Sequence, residues 1–133
     1  MKEAVVTSLA PKAAAVYSTA VKSKGDTTIY VSGQVPLTPE GQFYSKPSYS
    51  ITQQAELVIT NIKNILKAAN ASLEDVVKVN IFLADIKDFQ EFNATYAKHF
   101  SVLKVVPARS CVQVGALPLG ANLEIECIAV TSD

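Results

Sequence analysis

An arginine and a glutamate near the C-terminus are the residues of this chain best suited to chemistry. Arg109 lies near the start of segment 107–112 and Glu124 near the start of segment 123–126, and both segments alternate as β-strands do. Core strands avoid charges because an unpaired buried charge is costly. A guanidinium can grip a carboxylate through two parallel hydrogen bonds, and a carboxyl group beside it can handle water or protons. The pair therefore indicates a site for a small anionic substrate, and the alternative is a plain salt bridge on a solvated strand face.

Composition limits the class of protein. The chain has 133 residues, which predicts one domain over residues 1–133 with a proper core. Apolar residues make up 49% and charged residues only 18%, a lean surface that favours burial against partner subunits. The net charge is zero and no basic stripe is present, so nucleic-acid binding has no electrostatic support.

The metal-binding and nucleophilic residue types are few. Cys111 and Cys127 lack metal-ligand spacing and are interpreted as buried thiols in a reducing compartment. The single histidine, His99, disfavours a histidine-based metal site or a Ser-His-Asp triad. Neither a targeting pattern at the first residues nor an apolar run of membrane-spanning length is found. We therefore expect a cytosolic protein, or a mitochondrial one if a presequence has been removed.

The order of elements predicts an α+β fold. The chain reads as a strand over 27–32, a proline- and glycine-marked loop over 36–41, a helix from a capping box at Ser50 and Gln53 to Asn70, a cap at Ser72 and Asp75, a strand over 76–83, a helix started by Asp88 with Glu91, and the two strands described first. This order places two helices on one face of a sheet.

Alternation also assigns the faces of the predicted strands. We expect one face to pack against the helices: Ser110, Val112, Val114, Leu123, Ile125, Cys127 and Ala129. The opposite face then mixes charged with large apolar side chains: Lys78, Asn80, Phe82, Arg109, Cys111, Gln113, Glu124, Glu126, Ile128 and Val130. Such a mixture favours a subunit interface with polar sites set into it. The alternative is a solvated face with a few scattered hydrophobic residues.

Six segments in order carry a resemblance to one family: Ala10-Pro11 with Tyr17, then 31–36, 77–83, 92–96, 107–112 and 123–130. The chain resembles the RidA (YjgF) reactive intermediate deaminases, with segments in the style of the fungal members. The resemblance implies a chorismate-mutase-like mixed sheet with two helices on one face. It also implies a homotrimer whose sheets face inward, with sites in the clefts between subunits.

The same resemblance implies an activity. Members hydrolyse the reactive imines and enamines released by pyridoxal-phosphate dehydratases, chiefly 2-aminoacrylate and 2-iminobutanoate, to 2-oxo acids and ammonia, without a cofactor or metal. This activity supports branched-chain (isoleucine) biosynthesis. Two alternatives stay open. One is a single-stranded RNA endoribonuclease or translation inhibitor, and the other is a non-catalytic trimeric binder of small carboxylates with chaperone-like activity.

The family's two catalytic positions fall on Arg109 and Glu124. Arg109 is expected to hold the substrate carboxylate, and Glu124 to position water and shuttle protons. Glu126 shares the parity of Glu124 and is the competing carboxylate. Cys111 invites a nucleophilic interpretation, but the family implies that its backbone lines the site, so a binding role is expected.

The expected substrate-binding residues complete the set. Ser32 and Gly33 follow the first strand, where a hydroxyl and a backbone amide can reach a substrate; the alternative is a simple turn. Tyr17 and Asn93 match cleft-lining positions of the family, against the alternatives of a packed aromatic and a surface amide. The chain departs from the family where Ala15 and Val16 replace a glycine and a proline, which makes the placement of Tyr17 less certain.

Overall fold

Six strands and two α-helices organise the chain. The computed structural model describes residues 1–132. The elements are β1 (Lys2–Val5), β2 (Ala20–Ser23), β3 (Thr27–Gln34), α1 (Ile51–Ala68), β4 (Val76–Leu83), α2 (Phe89–Phe100), β5 (Ala108–Gln113) and β6 (Leu123–Thr131).

A four-stranded mixed sheet forms the centre, in the order β3-β6-β4-β5. Strand β6 runs antiparallel to both of its neighbours, and β5 runs parallel to β4. The short β1 and β2 pair antiparallel in a separate two-stranded sheet, which the sequence did not predict because each strand has only four residues, none of them fully buried, with no apolar alternation. Both helices contact each other, and α1 packs on β3 and β6. The predicted α+β fold, with two helices on a mixed sheet, is confirmed.

The apolar core lies between the helices and one face of this sheet. Helix α1 presents one stripe of fully buried side chains to it. Strand β6 alternates strictly between buried and half-buried residues, and β4 does so from Lys78 onward, after a register shift between Val76 and Lys78. The largest buried side chains are Ile51, Ile59, Ile62, Leu66, Ile81, Leu83, Phe92, Tyr96, Leu123 and Ile125. The predicted helix-facing residues of β6, from Leu123 to Ala129, are therefore confirmed.

The ends of α1 follow the sequence. The Ser50 hydroxyl accepts from the Gln53 backbone N–H at 3.1 Å, and the Gln53 side chain accepts from the Ser50 N–H at 2.9 Å. Asn70 stops the helix in the left-handed region at φ 59°. The predicted cap at Ser72 and Asp75 is also present, at the start of a short 3-10 turn.

The start of α2 differs from the prediction in its capping. Asp88 occupies the N-cap position but makes no capping hydrogen bond. Its carboxylate instead pairs with Lys46 at 2.7 Å. Glu91 reaches across to α1, where it accepts from the backbone N–H of Thr52 at 2.9 Å. Both carboxylates are therefore used to tie α2 to other parts of the chain.

The face predicted for β5 is wrong. Its register pairs Arg109 with Val79 and Cys111 with Ile81, and both partners are fully buried under the helices. Arg109 and Cys111 therefore point to the helix layer, whereas Val112 is exposed on the opposite face. Because β5 is an edge strand, the helices cover it only in part. The distribution of apolar side chains along β5 therefore does not indicate which of its faces points inward.

Candidate active site

Arg109 is held at the sheet edge by helix α2. It follows Ala108 at the start of β5 and its side chain is half-buried on the helix face. One guanidinium nitrogen, Nη1, donates to Oδ1 of Asn93 at 2.7 Å. Asn93 is thus next to Arg109, as expected for two residues of one site. The remaining guanidinium donors keep the geometry needed to bind a carboxylate through two hydrogen bonds.

Three aromatic rings surround this guanidinium. Its Cζ atom lies 4.9 Å from the ring centroid of Tyr96 and 5.8 Å from those of Tyr17 and Phe89. The rings attract the cation through their negative faces and limit the access of water to it. We call the group formed by Tyr17, Phe89, Asn93, Tyr96, Arg109 and Cys111 the Arg109 cluster.

Tyr17 reaches this cluster through the segment that precedes β2. The backbone N–H of Ser18 donates to the Pro107 carbonyl at 3.2 Å, and the Ser18 hydroxyl donates to the Val106 carbonyl at 2.6 Å. These bonds tie the segment to the chain just before β5. Tyr17 therefore lies beside Arg109 although Ala15 and Val16 replace the residues usual in the family.

No acidic side chain neutralises Arg109. Among residues 1–132, its guanidinium has no carboxylate within 4.0 Å, and the salt bridges formed there involve other cations. The alternative of a plain salt bridge is therefore not what the structure shows. A half-buried cation without a counter-ion favours binding of an anion from outside the chain.

The thiol of Cys111 lacks the electrostatics of an activated nucleophile. Its side chain packs against the apolar core, and burial raises the pKa of the thiol, an effect that the nearby Arg109 opposes. Burial likewise raises the pKa of Cys127 to about 12. Thiolates are the nucleophilic form, so neither environment activates a cysteine.

Glu124 lies on the other face of the sheet, above Gly33. In β6 it pairs with Phe82, and its carboxyl group rests on the backbone of β3. A Cβ added to Gly33 would lie 2.6 Å from the carboxyl carbon of Glu124, so the glycine provides the space that this side chain occupies. We call Ser32, Gly33 and Glu124 the Glu124 cluster.

The competing carboxylate, Glu126, already has a partner. Its Oε2 accepts from Nδ2 of Asn80 at 3.0 Å. Glu124 makes no ion pair with any residue in the range 1–132. The contacts therefore favour Glu124 as the carboxylate that is available to water.

Within one chain the two clusters are apart. Glu124 is aligned with Val112 across β4, and Arg109 lies three residues before Val112. Two strand spacings and three residues of rise separate the two Cα atoms by roughly 14 Å. The side chains also point to opposite faces of the sheet. A single subunit therefore does not bring Arg109 and Glu124 together.

Comparison with known proteins identifies the family to which this arrangement belongs. The family model described as Endoribonuclease L-PSP matches residues 7–131. The chain belongs to the YjgF/RidA family. Its two clusters carry the residues that the resemblance had placed at the family's site.

Three relatives show the range of this family. The yeast (Saccharomyces cerevisiae) protein MMF1, mitochondrial, is 55% identical over 95% of this chain and 82% of its own. The crystal structure of yeast Mmf1 matches with a TM-score of 0.73 over 99% of this chain and 100% of that chain. Reactive Intermediate Deaminase A, chloroplastic, of Arabidopsis thaliana is 46% identical over 96% of this chain and 65% of its own. The 2-iminobutanoate/2-iminopropanoate deaminase of Bos taurus is 41% identical over 98% and 90%.

Two features of this YjgF/RidA chain were not found from the sequence. Phe89 and Tyr96 have the spacing of an apolar stripe on α2, which predicts only core packing, yet both rings contact the Arg109 guanidinium. The spacing of Phe89, Asn93 and Tyr96 on one side of a helix could have indicated this, since such residues face one neighbour.

Within residues 1–132, no group of three or more His, Cys, Asp or Glu side chains is placed to hold a metal, and no helix has the length and apolarity of a bilayer span.

Proposed function

We propose that the protein is a 2-iminobutanoate/2-iminopropanoate deaminase that hydrolyses imine and enamine products of pyridoxal-phosphate dehydratases. The observation that carries this proposal is the half-buried, unpaired guanidinium of Arg109 in its aromatic setting. The substrates named for the bovine relative are small 2-imino acids, whose carboxylate suits that guanidinium.

The Arg109 cluster binds the substrate. The guanidinium takes the carboxylate in two hydrogen bonds and so fixes the adjacent imine carbon. Tyr17 and Asn93 line the space around the guanidinium. The backbone of Cys111 lies two residues after Arg109 on β5, on the same face of the strand. The substrate side chain is small and apolar, which suits contact with the aromatic rings.

The Glu124 cluster activates water and belongs to a neighbouring subunit. Glu124 and Arg109 are far apart within a single subunit. We therefore place the site where the sheet face of one subunit meets the Arg109 cluster of the next, in a homotrimer. The open sheet face carries the mixture of side chains expected of such an interface, with Tyr30 76% and Val112 46% exposed. Ser32 and Gly33 offer a hydroxyl and a backbone amide beside Glu124.

The reaction consumes one water and releases one ammonia. Glu124 accepts a proton from water as the water oxygen adds to the imine carbon, and it passes that proton to the imine nitrogen, which gives a neutral carbinolamine. Glu124 then takes the proton of the carbinolamine hydroxyl and delivers it to the amino nitrogen, so that the C–N bond breaks, ammonia leaves and the carbonyl of a 2-oxo acid forms. These steps need only proton transfer and carboxylate binding, so we propose that no cofactor or metal takes part. A cytosolic or, as in the name of the yeast relative, mitochondrial location fits this role.

A coupled assay tests the proposal. With threonine dehydratase as the source of 2-iminobutanoate, the protein should accelerate 2-oxobutanoate release over the spontaneous rate. Arg109→Ala should abolish the gain, and Arg109→Lys should lose most of it, because lysine keeps the charge without the planar fork. Lys22→Ala, which removes a cation from an exposed site on β2, is the matched control and should keep full activity.

The two alternatives give different results in the same experiments. No acceleration by the wild-type protein, together with binding of 2-oxobutanoate, would favour the non-catalytic carboxylate binder. RNA cleavage that survives repurification and disappears in Arg109→Ala would favour the endoribonuclease. The neutral net charge gives that second activity no electrostatic support.

A further inference from the structure

Tyr96 occupies a position that a packing role alone does not explain. Its side chain is fully buried, and its ring stacks on Phe100 with centroids 4.1 Å apart. The ring also contacts a cation: the Arg109 Cζ lies 4.9 Å from the Tyr96 centroid, nearer than to any other ring of the Arg109 cluster. A fully buried core ring is therefore in direct contact with a half-buried charge.

The contact restricts the guanidinium from a direction that its hydrogen bond does not. Asn93 fixes one nitrogen of the guanidinium at its edge through the bond to Nη1. A single bond leaves the side chain free to swing about it. The Tyr96 ring is itself immobilised by Phe100, whose ring stacks on it with the two centroids 4.1 Å apart. A ring so held provides a rigid support for the cation.

We propose that Tyr96 is a positioning residue, whose ring orients the guanidinium of Arg109 for binding the substrate carboxylate. This inference rests on the proposed function for its kinetic consequences. Tyr96 touches no substrate and acts through Arg109. The Tyr96 hydroxyl plays no part in this role. Its Oη atom is buried and has no hydrogen-bond partner in the described chain, so the ring alone positions Arg109.

Substitutions at Tyr96 separate the ring from the hydroxyl. Tyr96→Phe keeps the ring and removes only an unpaired hydroxyl, so activity and stability should stay near those of the wild type. Tyr96→Leu removes the support and should raise KM about tenfold, the effect of losing a cation–π contact at a half-buried site, with kcat changed less. Phe92→Leu is the matched control: Phe92 is on the same helix, is equally buried and packs beside Tyr96 with ring centroids 5.9 Å apart, but its ring is not one of the three that surround the Arg109 guanidinium. It should destabilise the protein and leave KM unchanged.

A second measurement does not depend on catalysis. Arg109 is the only arginine in the chain, so its Nε–H gives the single arginine side-chain signal in a ¹⁵N NMR spectrum. Its order parameter should be high in the wild type, in Tyr96→Phe and in Phe92→Leu, and low in folded Tyr96→Leu. An unchanged order parameter in Tyr96→Leu, or an equal rise of KM in Phe92→Leu, would overturn the positioning role. Absence of deaminase activity in the wild type would overturn the proposed function. The NMR order parameters would then decide by themselves whether Tyr96 positions Arg109.

Discussion

Arg109 and Glu124 differ in how their surroundings hold them. Arg109 is fixed by partners of opposite character, an amide oxygen at its edge and aromatic rings on its sides. The carboxylate of Glu124 fills the space beside the Gly33 backbone, which is open because glycine has no side chain. Under the proposed function, the first arrangement binds the substrate carboxylate and the second positions a carboxylate beside the reacting water.

Gly33→Ala tests the arrangement around Glu124. The added methyl group would lie 2.6 Å from the carboxyl carbon, so the carboxylate must move. We expect kcat for imine hydrolysis to fall by at least about tenfold, with KM changed little, because the carboxylate-binding arginine is elsewhere. Gly115→Ala is the control, since nothing lies within 4 Å of its added Cβ, and it should behave as the wild type. A Gly33→Ala variant with unchanged kcat would show that the position of Glu124 is unimportant to the reaction.

Helix α2 carries half of the Arg109 cluster, namely Phe89, Asn93 and Tyr96, so its attachment to α1 matters for the site. Glu56 of α1 accepts from Lys98 at 2.7 Å and contacts Nε2 of His99, both on α2. On its other side, His99 Nδ1 is 2.9 Å from Lys63 Nζ of α1. These polar contacts lie at the end of α2 opposite to its salt bridge between Asp88 and Lys46. The helix is thus held at both ends.

The Glu56 contacts make part of this attachment depend on pH. Hydrogen bonds from Lys98 and His99 hold the pKa of Glu56 below its usual 4.5. A lowered carboxyl pKa gives stability that is present above the unfolded value and is lost as the pH falls through the folded value. Because Glu56 is partly exposed, we expect Glu56→Gln to cost only about 0.5–1 kcal/mol of unfolding free energy at pH 7 and almost nothing at pH 3.

Urea unfolding at the two pH values measures this difference. Glu3→Gln is the control, because its own pair with Lys22 is long, at 3.9 Å, and exposed on both sides. A loss for Glu56→Gln that is the same at pH 3 and pH 7 would mean that packing, and not the charge of Glu56, is responsible.

The elements differ in how far the sequence predicts them. The capping residues Ser50 and Gln53 define the start of α1 because their hydrogen bonds are local. The helix-facing residues of β6 follow from alternation because β6 is an inner strand with one dry face. The inward face of β5 was not predictable in this way, since an edge strand with a polar pocket under it has no continuous apolar face. Only the register with β4 reveals where Arg109 points.

The same distinction applies to the site. The residue types of the site, from Tyr17 to Glu124, came from sequence motifs and family resemblance. Their division into two separate clusters came from strand register, which the local sequence does not encode. The role of Tyr96 was hidden because a core aromatic and a support for a cation have the same periodicity along a helix.

At the scale of the whole molecule, the division into two clusters predicts that catalysis is a property of the assembly. Arg109 and Glu124 lie on opposite faces of one sheet, so under the proposed function a working site combines the Arg109 cluster of one subunit with the Glu124 cluster of the next. The lean charge of the chain, 18% of residues, agrees with a subunit that buries part of its surface. In a ring of three subunits, each interface then contains one site.

Mixed assemblies test this central claim most directly. Arg109→Ala and Glu124→Gln subunits with different tags are co-expressed, and assemblies that carry both tags are purified and assayed for imine hydrolysis. Each variant alone should be inactive. A mixed ring of three places one intact Arg109 beside one intact Glu124 of its neighbour, so it should recover about a third of the wild-type activity. Mixed assemblies as inactive as the two parents would contradict a site shared between subunits.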